Sequence, residues 1–461
     1  MERPVRPNIL LLMADQLRYD AVGGAGQHGV RTPNLDRLAA GGMFFENAFT
    51  PAPVCAPARQ CLLSGRDVNC QGTLWNYDML PVLSLQPTGH YWTDNLRSAG
   101  YRTAFVGKWH SSQSSGPESF GFERVVPIKD YKAMIKEKYP GLSYEHGFFG
   151  DPGGLRYGDS ESHWCCDRVC ELIDEFSGSP WHIRMDITEP HLPCRPSEPF
   201  DTMYSPDEVD PWPGCADTLE GKPYIHRQQT VSWGTDKLGW DDFKRTVALY
   251  YGTISQMDDA IGRVLDKLEQ SGQADNTLVI FTSDHGDMCG SRRMLDKHYI
   301  QYDDVLHIPL IMRLPGVIPE GTRCGGFVSQ MLDIPPTVEE LCGLEPDGVR
   351  HGFSLAPVLT GEGESRREYV LSCGSGQQFG LFSQRCIRTK DWKYVWNGTD
   401  IDELYDLNAD PAELYNRIYD PELKETLAGL RRELYHAFLA LDDPLMKAGF
   451  VNRQLLEGAK L

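Results

Sequence analysis

The sequence predicts an α/β protein: a large, mostly parallel central sheet covered by helices, plus a smaller C-terminal antiparallel sheet with a terminal helix. Three observations predict it. Apolar runs of strand length alternate with stretches of helical period between residue 8 and about residue 341. The first run, Asn8–Ala14, is almost wholly apolar, as a strand covered on both faces must be. After about residue 365 the pattern changes to short β-type runs divided by turns. The expected division is therefore a main domain over 1–365 and a C-terminal subdomain over 366–461.

The elements follow in order. Asn8–Ala14 is a strand ending in Asp15-Gln16. Thr32-Pro33-Asn34 starts a helix with Leu35, Leu38 and Ala39 on one face. Phe44–Phe49 is a second strand and leads into Val54-Cys55-Ala56-Pro57-Ala58-Arg59. Pro57 suits a first helical turn, the residues to Leu63 are mostly good helix formers, and Gly65 is a natural stop. Trp92–Ala99 reads as a helix, and the strand that follows ends in Gly107-Lys108-Trp109-His110. Residues 111–180 are less regular, with one helix over Trp164–Phe176. Trp181–Thr188 is a strand that ends in Glu189-Pro190-His191.

Residues 194–240, rich in Pro, Trp, Gly and Asp, read as a long functional loop. Its Trp212, Trp233 and Trp240 either stack on a ring-shaped ligand or pack the loop itself. Asp241–Gln270 is the clearest helix, with apolar residues at three- and four-residue spacing. Thr277–Thr282 is a strand ending in Ser283-Asp284-His285-Gly286-Asp287, with Lys297-His298 shortly beyond. Ile308–Leu314 is a strand and Met331–Leu341 a short helix. Tyr369–Ser372, Ser383–Thr389 and Trp392–Trp396 form the antiparallel strands, and Glu425–Leu441 the final helix.

A net charge of -20 argues against general nucleic-acid binding and against adhesion to an anionic membrane. The N-terminal apolar run is far too short to span a bilayer and is followed by no small-residue cleavage site. Thirteen cysteines, an odd number at irregular spacing, read as reduced thiols of a cytoplasmic protein. Oligomerisation is compatible with this composition.

Asp15, Lys108, His110, His191, Asp284 and His285 all lie just past predicted strand ends. In open α/β sheets that edge is where ligands bind. Asp15 with Asp284-His285 suits a divalent metal, and the amide oxygen of Gln16 could add a neutral ligand. Singly, Asp15 could cap the next segment and His285 fill a turn. Two such strand ends in one chain favour the metal. Cys55 at a helix start with Arg59 one turn on forms an anion site or, more plainly, a buried thiol beside a surface charge. Lys108, His110 and Lys297 add positive charge for stabilising an oxyanion, and His191 sits on a proline-stiffened segment, as suits a general acid.

Taken together, these motifs resemble the type I, formylglycine-dependent sulfatases of the alkaline-phosphatase-like superfamily. The resemblance rests on Asn8 to Gln16, Thr32 to Leu38, Cys55-Ala56-Pro57-Ala58-Arg59 with Ser64-Gly65-Arg66, and Gly107 to His110. It continues through Pro190 to Pro193, Thr282 to Asp287, Trp392-Lys393-Tyr394 and Glu403 to Leu407 with Asp410-Pro411, in the family's order. It implies that Cys55 is oxidised to formylglycine, by a formylglycine-generating or a radical sulfatase-maturating enzyme that reads Cys-x-Pro-x-Arg. It implies that the hydrated aldehyde attacks a sulfate monoester, with one divalent metal on Asp15, Gln16, Cys55, Asp284 and His285. His191 or Lys297 then protonates the leaving alcohol, and His110 assists sulfate release. Arg59 and Lys108 stabilise charge, and Lys108, His191, Lys297 and His298 contact the substrate. Gln16 and His285 stand where many members carry Asp and Asn, a variant similar to choline sulfatases, some glycan sulfatases and phosphonate monoester hydrolases. Calcium is the metal implied first, and a nitrogen donor brings in manganese, with magnesium as a further alternative. The reaction expected is hydrolysis of a small sulfated sugar or related alcohol. A phosphonate or phosphodiester hydrolase on the same site, and an inactive anion-binding homologue with unmodified Cys55, are the alternatives.

Overall fold

The computed structural model describes residues 6–25, 29–77, 83–297, 300–376, 380 and 382–460. Strand β1 (Asn8–Asp15) lies in the middle of an eight-stranded sheet, and all eight of its residues are buried. The reason is visible in its alternation. Ile9, Leu11 and Met13 join an apolar cluster on one face, and Leu10, Leu12 and Ala14 join another on the opposite face. From Ile9 to Ala14 no polar side chain interrupts this doubly covered strand, and Asp15 stands at its end.

The other strands of this sheet are β2 (Met43–Phe49), β3 (Arg102–Gly107), β4 (Arg124–Pro127), β5 (Trp181–Pro190), β6 (Thr277–Ser283), β7 (Leu310–Arg313) and β8 (Thr322–Ser329). Their order is β4-β3-β5-β1-β6-β7-β2-β8. Every pairing is parallel except those of β7, which runs antiparallel to both β6 and β2. The sheet is thus mostly parallel with one reversed strand.

Helices cover both faces. The 31-residue helix Trp240–Gln270 and the helix Glu161–Glu175 pack on one side. On the other side lie Cys55–Ser64, Trp92–Ser98 and Gln330–Leu341. A second, antiparallel sheet follows in the order β12-β11-β10-β9, from β9 (Tyr369–Ser375), β10 (Ser383–Thr389), β11 (Trp392–Asn397) and β12 (Glu403–Asp406). The helix Lys424–Ala440 packs on it. Cys373, Tyr394, Trp396, Leu434 and Phe438 belong to the same apolar cluster as Ile9 and Leu11, so the two sheets share a core.

Several elements depart from the expected pattern for identifiable reasons. β4 and β8, which the sequence pattern does not reveal, are the two edge strands of the large sheet. β4 has four residues, and β8 carries Gly325-Gly326 with alternate residues exposed, so neither shows a continuous apolar run. The helix Tyr224–Trp233 lies inside the stretch read as loop, and Ile128–Lys138 inside the irregular region. Among the described residues no helix is long and apolar enough to cross a membrane.

Candidate active site

The adjacent strands β3, β5, β1 and β6 end at one edge of the sheet, and their last residues deliver most of the site. Asp15 is the last residue of β1. Gln16 follows with φ 71°, turning the chain so that its N–H donates to Asp284 Oδ1 at 3.0 Å. Asp284 and His285 follow β6 directly.

Cys55 arrives from the other direction, as the first residue of the helix Cys55–Ser64. All ten residues of that helix are buried. Gly65 ends it in the left-handed conformation at φ 68°, its N–H donating to Cys61 O at 2.7 Å, the stop expected of glycine there. Cys55 is 1% exposed. Its Sγ lies 3.2 Å from His285 Nε2 and 3.6 Å from Asp15 Oδ1. Asp15, Cys55, Asp284 and His285 each offer a ligand atom within 4.8 Å of the others, all buried.

Arg59 lies one turn further along the helix and is fully buried. Its guanidinium is bound on three sides: Nη2 to Asp15 Oδ2 at 3.0 Å, Nε to Asp284 Oδ2 at 3.1 Å, and Nη1 to Asp186 Oδ2 at 2.7 Å. Burial works against this charge, but Asp284, Asp15 and Asp186 outweigh it and raise the group above its ordinary range. Lys108 Nζ donates to Asp15 Oδ2 and is the partly exposed cation of the group.

Lys108 is placed by its neighbour. Gly107, at φ 103°, packs so tightly on β5 that a Cβ would stand 2.1 Å from Asp186 O. Gly107→Ala is expected to cost about 3 kcal/mol of stability, from overpacking and backbone strain together. Urea unfolding checks this, and activity should fall as Lys108 shifts.

His191 Nε2 and Lys297 Nζ are 2.8 Å apart. His191 Nδ1 faces Leu192 O at 2.5 Å, which assigns the proton to Nδ1 and makes Lys297 the donor between them. Lys297 Nζ also reaches Gln16 Oε1 at 3.0 Å and Asp296 Oδ1 at 3.0 Å. The Gln16 amide nitrogen donates to Asp287. His110 is buried with its ring 4.9 Å from that of Tyr77.

Burial opposes ionisation of the Cys55 thiol. Lys108, Lys297 and His285, with a hydrogen bond from His110, outweigh it and hold the thiol well below the usual range. Burial also disfavours a charged His285, but Asp284 and the Cys55 sulfur raise it to about 9. For Asp284, burial and Asp15 push the carboxyl up despite His285 and Arg59. The raised His285 and Asp284 mark an acidic side that draws in positive charge, and the lowered Cys55 thiol marks the cations Lys108 and Lys297 beside it.

The structure therefore brings together Asp15, Gln16, Cys55, Arg59, Lys108, His110, His191, Asp284, His285 and Lys297. His298 lies outside the described residues. The pattern reading missed Asp186, Arg184, Asp287 and Asp296. Of these, Asp186 and Arg184 had a signal. His182, Arg184 and Asp186 occupy every second position of a strand that must be covered on both faces. The loop tryptophans divide. Trp212 is 1% exposed and donates to Cys289 O, so it is packing rather than a stacking surface. Trp240 opens the long helix and packs on its core. Trp233 sits edge-on to the half-exposed Phe148 ring at 4.8 Å.

Comparison with known proteins agrees with this geometry. A family model described as Sulfatase matches residues 7–344, and one described as N-sulphoglucosamine sulphohydrolase, C-terminal, matches 290–438. An arylsulfatase of Clostridium perfringens is 29% identical over 93% of this chain and 94% of its own length. A choline-sulfatase of Rhizobium meliloti is 28% identical over 90% of this chain and 83% of its own. A solved phosphonate monoester hydrolase of Agrobacterium radiobacter shares the fold at a TM-score of 0.82, with 24% identity, covering 95% of this chain and 96% of that one. With a cysteine, two carboxylates and an imidazole gathered where these motifs meet, the chain belongs to the sulfatase family, the sulfuric ester hydrolases of alkaline-phosphatase-like fold.

Proposed function

We propose that this protein hydrolyses the sulfate monoester of a small sulfated sugar or related alcohol, with formylglycine made from Cys55 as nucleophile and one divalent cation. The observation that carries the reading is the Sγ of Cys55, fixed at a helix start within 3.6 Å of both Asp15 Oδ1 and His285 Nε2. The donor set fits a cation. His285 Nδ1 is engaged by Gly286 O at 2.9 Å, which turns Nε2 into the cluster. The acids around that Nε2 draw a proton onto it, and a cation there would take the proton's place. Asp15, Asp284, His285 and the Cys55 position would hold the metal, joined by Gln16 Oε1. Oxygen donors suit calcium, and the imidazole admits manganese or magnesium. A bound cation would supply Lewis acidity to this site. The hydrated formylglycine supplies a hydroxyl held in place for attack.

The other residues divide the remaining work. Arg59, fully buried, and Lys108, partly exposed, place fixed positive charge beside the reacting group. The Lys297–His191 pair holds a proton between Nζ and Nε2, placed for the leaving alcohol. His110, facing Cys55, takes a proton there as sulfate is released. A formylglycine-generating or radical sulfatase-maturating enzyme would make the aldehyde. The twelve unpaired cysteines other than Cys55 support a cytoplasmic setting and small sulfated substrates.

The His191 role has its own test. His191→Ala should slow hydrolysis of an alkyl sulfate about 10²–10³-fold, but that of 4-nitrophenyl sulfate less than about tenfold. A nitrophenolate leaves without a proton, an alkoxide does not. Equal losses on both esters would remove His191 from the proton-transfer step.

A phosphonate monoester or phosphodiester hydrolase is favoured by one feature, the Gln16 and His285 variant of the site. Parallel assays with aryl sulfate, aryl phosphonate and sulfated sugars decide between them. A much faster phosphonate rate would overturn the sulfatase reading. Mass spectrometry of the Cys55 peptide tests the inactive alternative, since a bare thiol in protein made by its own host would sink the mechanism.

A further inference from the structure

We infer that Asp186, locked by Arg184, is a positioning residue that fixes the guanidinium of Arg59 beneath the nucleophile. The inference rests on the proposed function for what Arg59 does, and on the geometry alone for how it is held.

β5 lies between β1 and β3, with Leu11 opposite Arg184, and Met13 and Gly107 opposite Asp186. Two charged side chains in the interior of such a strand are costly unless matched. Here the match is specific. Arg184 grips Asp186 with a two-pronged fork, Nε to Oδ1 at 2.8 Å and Nη2 to Oδ2 at 2.7 Å. The carboxylate plane is then set, and Oδ2 has one direction left in which to receive Arg59 Nη1, at 2.7 Å.

Of the three carboxylates on Arg59, Asp15 and Asp284 belong to the four-residue donor cluster, and Asp186 does not. Asp186 is therefore the anchor that stays with Arg59 when a cation draws on the other two. The same residue places Lys108, whose N–H donates to Asp186 O at 2.8 Å.

Stability alone does not account for the fork. Arg184 Nη1 is buried without a hydrogen-bond partner among the described residues. A buried ion pair is often replaceable by apolar residues of similar size, so retaining one with an unmet donor points to orientation.

The test is the double variant Arg184→Met/Asp186→Leu, which removes one charge of each sign. It is measured in the full-length, matured protein with an aryl sulfate. The expected result is a kcat lowered about 10–100-fold, KM within about threefold, and an unchanged proportion of formylglycine in the Cys55 peptide. Arg184→Lys, which keeps the charge but not the fork, should fall in between. It also serves if the double variant does not fold. A folded double variant, or Arg184→Lys, with kcat within about twofold of wild type would overturn the inference and leave the sulfatase reading standing. A wild type that neither turns over a sulfate ester nor carries formylglycine would overturn that reading and this inference with it.

Discussion

Cys55→Ala is expected to lower sulfate ester hydrolysis by about 10⁴–10⁶-fold while leaving the protein folded. The size follows from what the position does. The substitution removes the reacting atom itself, so Arg59, Lys108 and the metal donors can bind a sulfate ester but have nothing to transfer it to. The fold should survive because little else changes. The helix Cys55–Ser64 keeps its buried face and its glycine stop, and alanine is a better helix former than cysteine. Thermal denaturation by circular dichroism should show a melting temperature within a few degrees of wild type. Turnover is read on the same preparations with an aryl sulfate. More than about 1% of wild-type kcat in the variant would remove Cys55 from the centre of the mechanism.

Arg59→Met should instead damage stability first. Removing this guanidinium strips Asp15, Asp186 and Asp284 of their common partner and leaves three buried carboxylates to Lys108 and Arg184. Breaking a buried pair from one side typically costs about 3–5 kcal/mol, a large share of a protein's net stability. The loss should depend on pH. Burial and Cys55 push the Asp15 carboxyl up, but Lys108, His191 and Arg59 outweigh them and hold it at about 2. A folded value below that of the unfolded chain, about 4, contributes stability that is present above about pH 4 and lost as the pH falls toward 2. The variant gives up part of that contribution. Its deficit against wild type should therefore be widest above about pH 5 and narrow below about pH 4. Urea unfolding at pH 7 and at about pH 3 measures both gaps, and a deficit that grows on acidification would contradict the account.

The legible part of this chain is the part where covering dictates composition. Asn8–Ala14 announces a central strand because every residue in it meets apolar neighbours, and Asp15 announces an edge because it is the first that does not have to. Cys55, Pro57, Arg59 and Gly65 mark a helix start and stop through local backbone chemistry, which needs no tertiary information. Other features were invisible for physical reasons. Periodicity carries no direction, so the strand over Ile308–Leu314 was legible while the reversal of β7 against its neighbours was not. Edge strands have one neighbour to satisfy, so β4 and β8 could be short or glycine-rich. Asp186 was missed because a charge inside a buried strand makes sense only beside Arg184 and Arg59, of which the second lies 127 residues away in sequence.

Ile9 and Leu11 of β1 lie in one continuous apolar cluster with Tyr394 and Trp396 of β11 and with Leu434 and Phe438 of the last long helix. β1 therefore shares its core with a helix made roughly 400 residues later in the chain. At about 5–20 residues per second, the interval is on the order of half a minute. For that time β1 carries a strand face rich in Leu and Ile with part of its cover unsynthesised, next to the edge that will hold Asp15. A late-closing core of this kind makes folding slow through its sequence separation rather than through any single contact. It also makes the helix Lys424–Ala440, distant in sequence from every residue named in the chemistry, a segment on whose arrival completion of the core against β1 depends.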